Sequence, residues 1–168
     1  MEKFELLDKD GNKTGKIITS PEIDDKSLIP QGYYVAIVGV LIINNENEVL
    51  LERRSKLKKI DPGKWGICGG KIDYNEDPIT AGIRETYEEI GIILNRDEMK
   101  LLCVNKSETA YFNIFYVKTN IDIKDCKLQK EEVDEIRYFN IEKGIYEQLL
   151  SDPDEGVEWL KELKKVLY

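Results

Sequence analysis

Apolar positions along this chain follow two different periods. The run YYVAIVGVLII over residues 33–43 is almost unbroken apolar and β-branched, which predicts a buried strand. A polar turn at 44–48 and a second strand at 49–53 predict that this strand folds back as a hairpin. Phe4, Leu6 and Leu7, then Asp10-Gly11, then Ile17 and Ile18 predict an earlier hairpin over residues 3–19 with a tight turn. Pro21, Pro30 and Gly32 mark residues 20–32 as the loop between them. Residues 100–106 and 111–119 alternate and predict two more strands, with a short one at 135–139.

The period changes to that of a helix after residue 77. Ile79, Ile83, Thr86 and Ile90 share one stripe, Asp77 and Pro78 suit an N-cap and first helical position, and Gly91 suits a left-handed stop. Helices are also predicted over 141–150 and 153–167. The second of these opens on Asp152-Pro153 and carries Trp159, Leu160, Leu163 and Leu167 on one face, which predicts a helix laid over a sheet. Strands in sequence with a central and a late helix give an α+β fold, a mixed sheet packed by helices, in a single domain over residues 1–168.

Residues 70–92, GKIDYNEDPITAGIRETYEEIGI, carry the chemistry. The segment reads as strand, loop, helix and stop, with a turn at Gly70-Lys71. Glu85, Glu88 and Glu89 stand at i, i+3 and i+4, roughly opposite the apolar stripe, so the acids are expected to point away from the core. Three carboxylates so close repel one another and are best tolerated around a cation. A hard ion such as Mg2+ takes carboxylate oxygens and leaves positions for water and phosphate. Just upstream, Arg53, Arg54, Lys56, Lys58, Lys59, Lys64 and Lys71 form a basic island against Asp61 alone. Cations beside a bound metal suit an anionic, phosphate-bearing substrate.

The spacing Gly70, Glu76, Arg84-Glu85-x-x-Glu88-Glu89-x-Gly91-Ile92 resembles the Nudix box, and Pro62-Gly63-Lys64-Trp65 and Gly69-Gly70 ahead of it resemble the same family. Thr86 stands where an aliphatic residue is common, and its methyl suits the stripe. The resemblance implies an α/β/α sandwich with the box helix across a mixed sheet. It also implies a hydrolase that cleaves a diphosphate linkage in a nucleotide or related metabolite with Mg2+, Mn2+ being able to replace it. Carried over, Glu85, Glu88, Glu89 and the Gly70 carbonyl would hold the metal, Glu89 or Glu85 would act as base, and Arg84 would orient a box carboxylate. Glu76 would brace the loop. Glu132, or Glu135 after it, would supply a fourth acid. For substrate contacts the expected residues are Arg53, Arg54, Lys71, Tyr34 and Tyr111, with Tyr33, Phe112 and Phe115 as further aromatic candidates; Trp65 is expected to pack.

Composition narrows the alternatives. The chain has no histidine, so a Ser-His-Asp triad, a Cys-His pair and a His-ligated metal are excluded. Cys68, Cys103 and Cys126 form no CxxC pair, which points to a reducing compartment and no structural zinc. The N-terminus is charged and without a signal-peptide core, and no apolar run approaches membrane-spanning length, so a cytoplasmic protein is expected. A net charge of -8 argues against a nucleic-acid polymer as partner. The expected partner is a small diphosphate-containing molecule, and a homodimer is compatible with this reading. An isopentenyl-diphosphate isomerase-like enzyme is a second reading. Cys68 tempts toward it, but Cys68 lies one residue early, and Tyr34 and Lys71 stand where metal-binding histidines would be expected. A non-catalytic, Nudix-like ligand-binding domain is a third, weakened because every box acid is present.

Overall fold

The computed structural model describes residues 1–20, 23, 25–142 and 157–168. Residues 143–150 of the helix expected over 141–150, and the opening turn of the one expected over 153–167, lie outside the described residues.

An N-terminal hairpin pairs β1 (Lys3–Leu7) with β2 (Lys13–Thr19). The expected tight turn is a longer loop over residues 8–12, in which Asp8 accepts from the Asp10 and Asn12 amides. The main sheet contains β3 (Val35–Ile43), β4 (Glu48–Arg54), β5 (Trp65–Gly66), β6 (Cys68–Lys71), β7 (Lys100–Lys106), β8 (Ala110–Lys118) and β9 (Val133–Asn140). It is mixed. β3 runs parallel to β8 along its whole length, and the remaining pairs are antiparallel. α1 (Pro78–Ile90) packs on one face and α2 (Val157–Leu167) on the other.

The period-2 alternation of strands divides the core in two. Val38, Val40 and Ile42 of β3 face α1, while Leu41 and Ile43 face Trp159, Leu160 and Leu163 of α2. On β4, Leu50 faces α1, and Val49 and Leu51 face α2.

The expected β3–β4 hairpin exists only at its base. Ile42 pairs with Leu50 and Ile43 with Val49; β4 then departs to pair with β9 and β5, and β6 takes its place beside β3 over Ile37–Val40. The short, glycine-rich strands β5 and β6 carry too little apolar periodicity to be seen in sequence. Gly70 and Lys71 therefore end a strand rather than form the expected turn, and the loop to α1 begins at Ile72. The sheet opens between β4 and β6, under one end of α1.

Candidate active site

The two glycines of β6 are packed closely on both sides. Gly69 pairs with Gly39 at φ +154, and a Cβ there would collide with the Val38 carbonyl oxygen. A Cβ at Gly70 would collide with the Glu85 carboxylate. Glycine lets β6 lie tight against β3 at Gly69 and leaves room for the Glu85 carboxylate at Gly70.

α1 starts and stops where the sequence signals stand. Asp77 caps it by accepting from the Ile79 and Thr80 amides, and Gly91 ends it at φ +76. The chain after the helix returns to close that end: the Lys127 and Gln129 amides donate to the Ile90 and Glu89 carbonyls. This docks the loop carrying Gln129 and Glu132 beside the box acids.

The three acids are buried to different depths, and one expectation fails here. Glu88 is half exposed, Glu85 largely covered, and Glu89 only 6% exposed. At about 100° per residue, Glu88 lies about 170° from the centre of the apolar stripe, Glu85 about 130° and Glu89 about 90°. Glu89 is therefore at the edge of the core and points into it. Its Oε2 accepts from the Gly69 amide at 3.0 Å. Burial pushes the Glu89 carboxyl well above its ordinary range, and the neighbouring Glu52 and Glu85 add to this. Burial also raises Glu85, against the pull of Arg84.

Arg84 organises the outer part of the cluster. It forks onto Glu76 at 2.9 and 2.8 Å, donates to Glu85 at 2.8 Å and to Glu88 at 3.3 Å, and reaches the Lys71 carbonyl at 3.0 Å. The Glu76 hydrogen bonds hold its guanidinium firmly protonated. Glu76 also accepts from the Asp73 amide, so it clasps the loop between β6 and α1. Burial pushes Glu76 up, but Arg84 and the Asp73 amide outweigh it and leave its carboxyl below the usual range.

A cleft of about 490 Å³ lies over this cluster. Glu85, Glu88, Glu89 and Gly70 form one side; Arg54, Lys58 and Lys71 supply positive charge; Glu132 and Gln129 close an end; and Phe4 and Ile37 form an apolar wall. Lys58 and Glu132 are joined by a short ion pair across it.

Of the residues expected to contact substrate, Arg54 and Lys71 line the cleft. Arg53, Tyr34 and Tyr111 do not. Alternation along β4 sends Arg53 to the α2 face, where it pairs with Glu135 at 3.1 Å and lies over Trp65. Glu135 is thereby occupied away from the box acids, and Trp65 packs edge-on against Phe139. Tyr34 and Tyr111 meet edge to face at 5.3 Å under Lys106, and the Tyr111 hydroxyl donates to the Lys9 carbonyl, so they dock the N-terminal hairpin. Phe112 and Phe115 pack in the two cores, and Tyr33 against the hairpin.

Two residues were not foreseen. Phe4 is the aromatic side chain that reaches the cleft among the described residues, because the hairpin is tied to the box loop by the Tyr74 amide donating to the Lys3 carbonyl. Glu52 lies 3% exposed beneath Glu89, beside Cys68. Its signal was present: two residues after Leu50, it falls on the same face of β4, at a position where the core pattern calls for an apolar residue. Burial raises the Glu52 carboxyl to about 7, opposed by hydrogen bonds with Cys68 and Glu89. Burial likewise lifts the Cys68 thiol far above its ordinary range. Cys68 does not line the cleft, which removes it from the position an isomerase nucleophile or acid would need.

The donor set fits a hard divalent cation. Glu85, Glu88 and Glu89 bring three carboxylates together, with Arg84 paired to Glu85 and Glu88, beside a Gly70 backbone where a side chain would meet the Glu85 carboxylate.

Comparison with known proteins agrees with this geometry. The NUDIX domain model matches residues 33–162. A protein of Listeria monocytogenes, the uncharacterized Nudix hydrolase lmo0368, is 27% identical over 144 residues, covering 85% of this chain and 82% of that protein. The crystal structure of DR0079 from Deinococcus radiodurans superposes with a TM-score of 0.70 at 17% identity, over 92% of this chain and 90% of that one. The NUDIX domain of Shewanella oneidensis NrtR, solved with ADP ribose, superposes with a TM-score of 0.62 at 17% identity, over 90% of this chain and all of that one. A fold with a mixed sheet between helices, a family model spanning most of the chain and a complete set of box acids on one cleft lead to one conclusion: this chain belongs to the Nudix family of hydrolases.

Proposed function

We propose that the protein is a Mg2+-dependent pyrophosphohydrolase that cleaves a diphosphate linkage in a nucleotide or related metabolite. The observation that carries this reading is the juxtaposition, in one cleft, of the box carboxylates and the cations Arg54, Lys58 and Lys71. In a chain of net charge -8 such a cluster of cations at the acidic site has a specific use, the binding of phosphate.

In this reading Glu85, Glu88, Glu89 and the Gly70 carbonyl hold the Mg2+ ion, and Mn2+ can replace it. The bound ion supplies charge neutralisation and polarisation of the phosphoanhydride. Arg84 fixes the Glu85 carboxylate through their 2.8 Å hydrogen bond while Glu76 holds Arg84. Arg54 and Lys71 anchor the phosphates. Glu85, Glu89 or Glu132 accepts the proton that water loses as its oxygen bonds to phosphorus and the bond to the leaving phosphate breaks. Glu132 is paired with Lys58, so a phosphate that draws Lys58 away frees Glu132 for this work. ADP ribose, bound by the Shewanella domain, belongs to the substrate class considered.

The test is a screen of nucleoside di- and triphosphates, nucleotide sugars, dinucleotides and prenyl diphosphates with Mg2+ or Mn2+. Turnover of at least one diphosphate, abolished by chelation, is expected. Silence across the whole panel with both ions would favour a non-catalytic ligand-binding domain instead.

A further inference from the structure

Beneath the cleft, Glu52, Cys68 and Glu89 bring two carboxyl oxygens and a thiol sulfur within 4.8 Å of one another, all three side chains being buried. They come from three elements, β4, β6 and α1, which meet where the sheet opens. One carboxyl oxygen of Glu52 has no hydrogen-bond partner, although the side chain is 3% exposed. A buried, unpartnered carboxyl oxygen is costly. On a sheet face that is otherwise a core layer, that unpartnered oxygen beside the Cys68 thiol and the Glu89 carboxyl points to a ligand.

We infer that Glu52, Cys68 and Glu89 form an inner cation site that takes a thiophilic divalent ion, of the Zn2+ or Co2+ class, sharing Glu89 with the hard-oxygen site of Glu85, Glu88 and Gly70. The donor set makes the distinction. Thiolate selects for transition ions and against Mg2+, which prefers oxygen alone. The size also fits. Ions bound at 2.0–2.3 Å in tetrahedral geometry hold their ligands about 3.3–3.8 Å apart, so a small contraction closes the triangle. Glu89 borders both sites: Oε2 is held by the Gly69 amide, and the carboxylate faces the cleft from above and Glu52 from below. Binding releases the thiol proton, and any proton held by the two carboxyls, to solvent.

This goes beyond the hydrolytic reading and is read out without activity. The reduced full-length chain, freed of metal, is titrated with Co2+ and Cd2+. A thiolate-to-metal charge-transfer band is expected with either ion and not with Mg2+. The band should vanish in Cys68→Ser, persist in Cys103→Ser and Cys126→Ser, and need about 10-fold or more Co2+ in Glu52→Gln. Should Cys68→Ser not fold, crystals of the natural sequence grown with Zn2+ decide the matter: an anomalous peak is expected about 2.3 Å from Cys68 Sγ. Absence of the band, its survival in Cys68→Ser, or a peak only among Glu85 and Glu88 would overturn the inner site while leaving Mg2+-dependent hydrolysis intact. Loss of hydrolysis with the band present would do the reverse.

Discussion

The two faces of the main sheet solve different problems with the same strands. On the α2 face, Leu41, Ile43, Val49 and Leu51 meet Trp159, Leu160 and Leu163, all buried and all apolar. On the α1 face, Val38, Val40, Ile42 and Leu50 begin the same kind of layer, but Glu52, Cys68, Thr86 and Glu89 interrupt it at one end. Thr86 satisfies itself by donating to the Gly82 carbonyl at 2.8 Å. Glu52 and Glu89 find their hydrogen-bond partners only on other elements, and burial raises both carboxyls. One face is thus built for packing, while the other gives up part of its packing to hold polar groups where chemistry is proposed. Such a division places the apolar packing layer and the buried polar groups of one domain a strand's thickness apart.

Exchanging single groups on each face should sharpen the contrast. The largest effect is expected from Glu89→Gln, which keeps shape and helix propensity but removes charge. Activity should fall by about 100-fold to 10,000-fold with circular dichroism unchanged. An unaltered rate would move the principal ligand and base elsewhere.

On the packing face, Leu163→Ala should cost about 2–5 kcal/mol of stability, measured by urea unfolding, with the rate per folded molecule preserved. A loss of rate without a loss of stability would break the division between faces.

The acid pair predicts a pH dependence. Glu52 has an ordinary value of 4.5 and is raised in the folded chain, so the metal-free fold retains protons that the unfolded chain has released. The Glu52 contribution to stability should be most favourable below about pH 4.5 and be lost as pH rises toward 7. Glu52→Gln should flatten that fall in unfolding experiments with chelator at pH 5 and pH 8. A variant and parent with parallel pH profiles would show that the pair imposes no such penalty.

The smallest effect belongs at the exposed start of α1. Thr80 first, and Arg96 with it, lower the Asp77 carboxyl to about 2. Its contribution should be complete above the ordinary value of 3.8 and be lost as pH falls through about 2. Asp77→Ala should cost about 1 kcal/mol near pH 7 and clearly less at pH 2, read as a difference in melting temperature.

Local signals were sufficient for the elements. Asp77, Pro78 and Gly91 marked the box helix to its ends, and unbroken or alternating apolar runs marked β3, β7 and β8, because caps and periodicity act through neighbours in sequence. The box acids, and the brace formed by Arg84 and Glu76, were legible for the same reason: they lie within a single loop and helix. What only the tertiary structure decided was which groups share a space. β6 displaces β4 beside β3, and that exchange, invisible in either strand alone, opens the sheet under α1. It brings Glu52 and Cys68 beneath Glu89, while the docking of the N-terminal hairpin on the box loop puts Phe4, rather than Tyr34 or Tyr111, at the cleft. Sequence spacing sets the direction of a side chain within its own element; the burial and charge around it come from elements far away in the chain, and these set its chemistry.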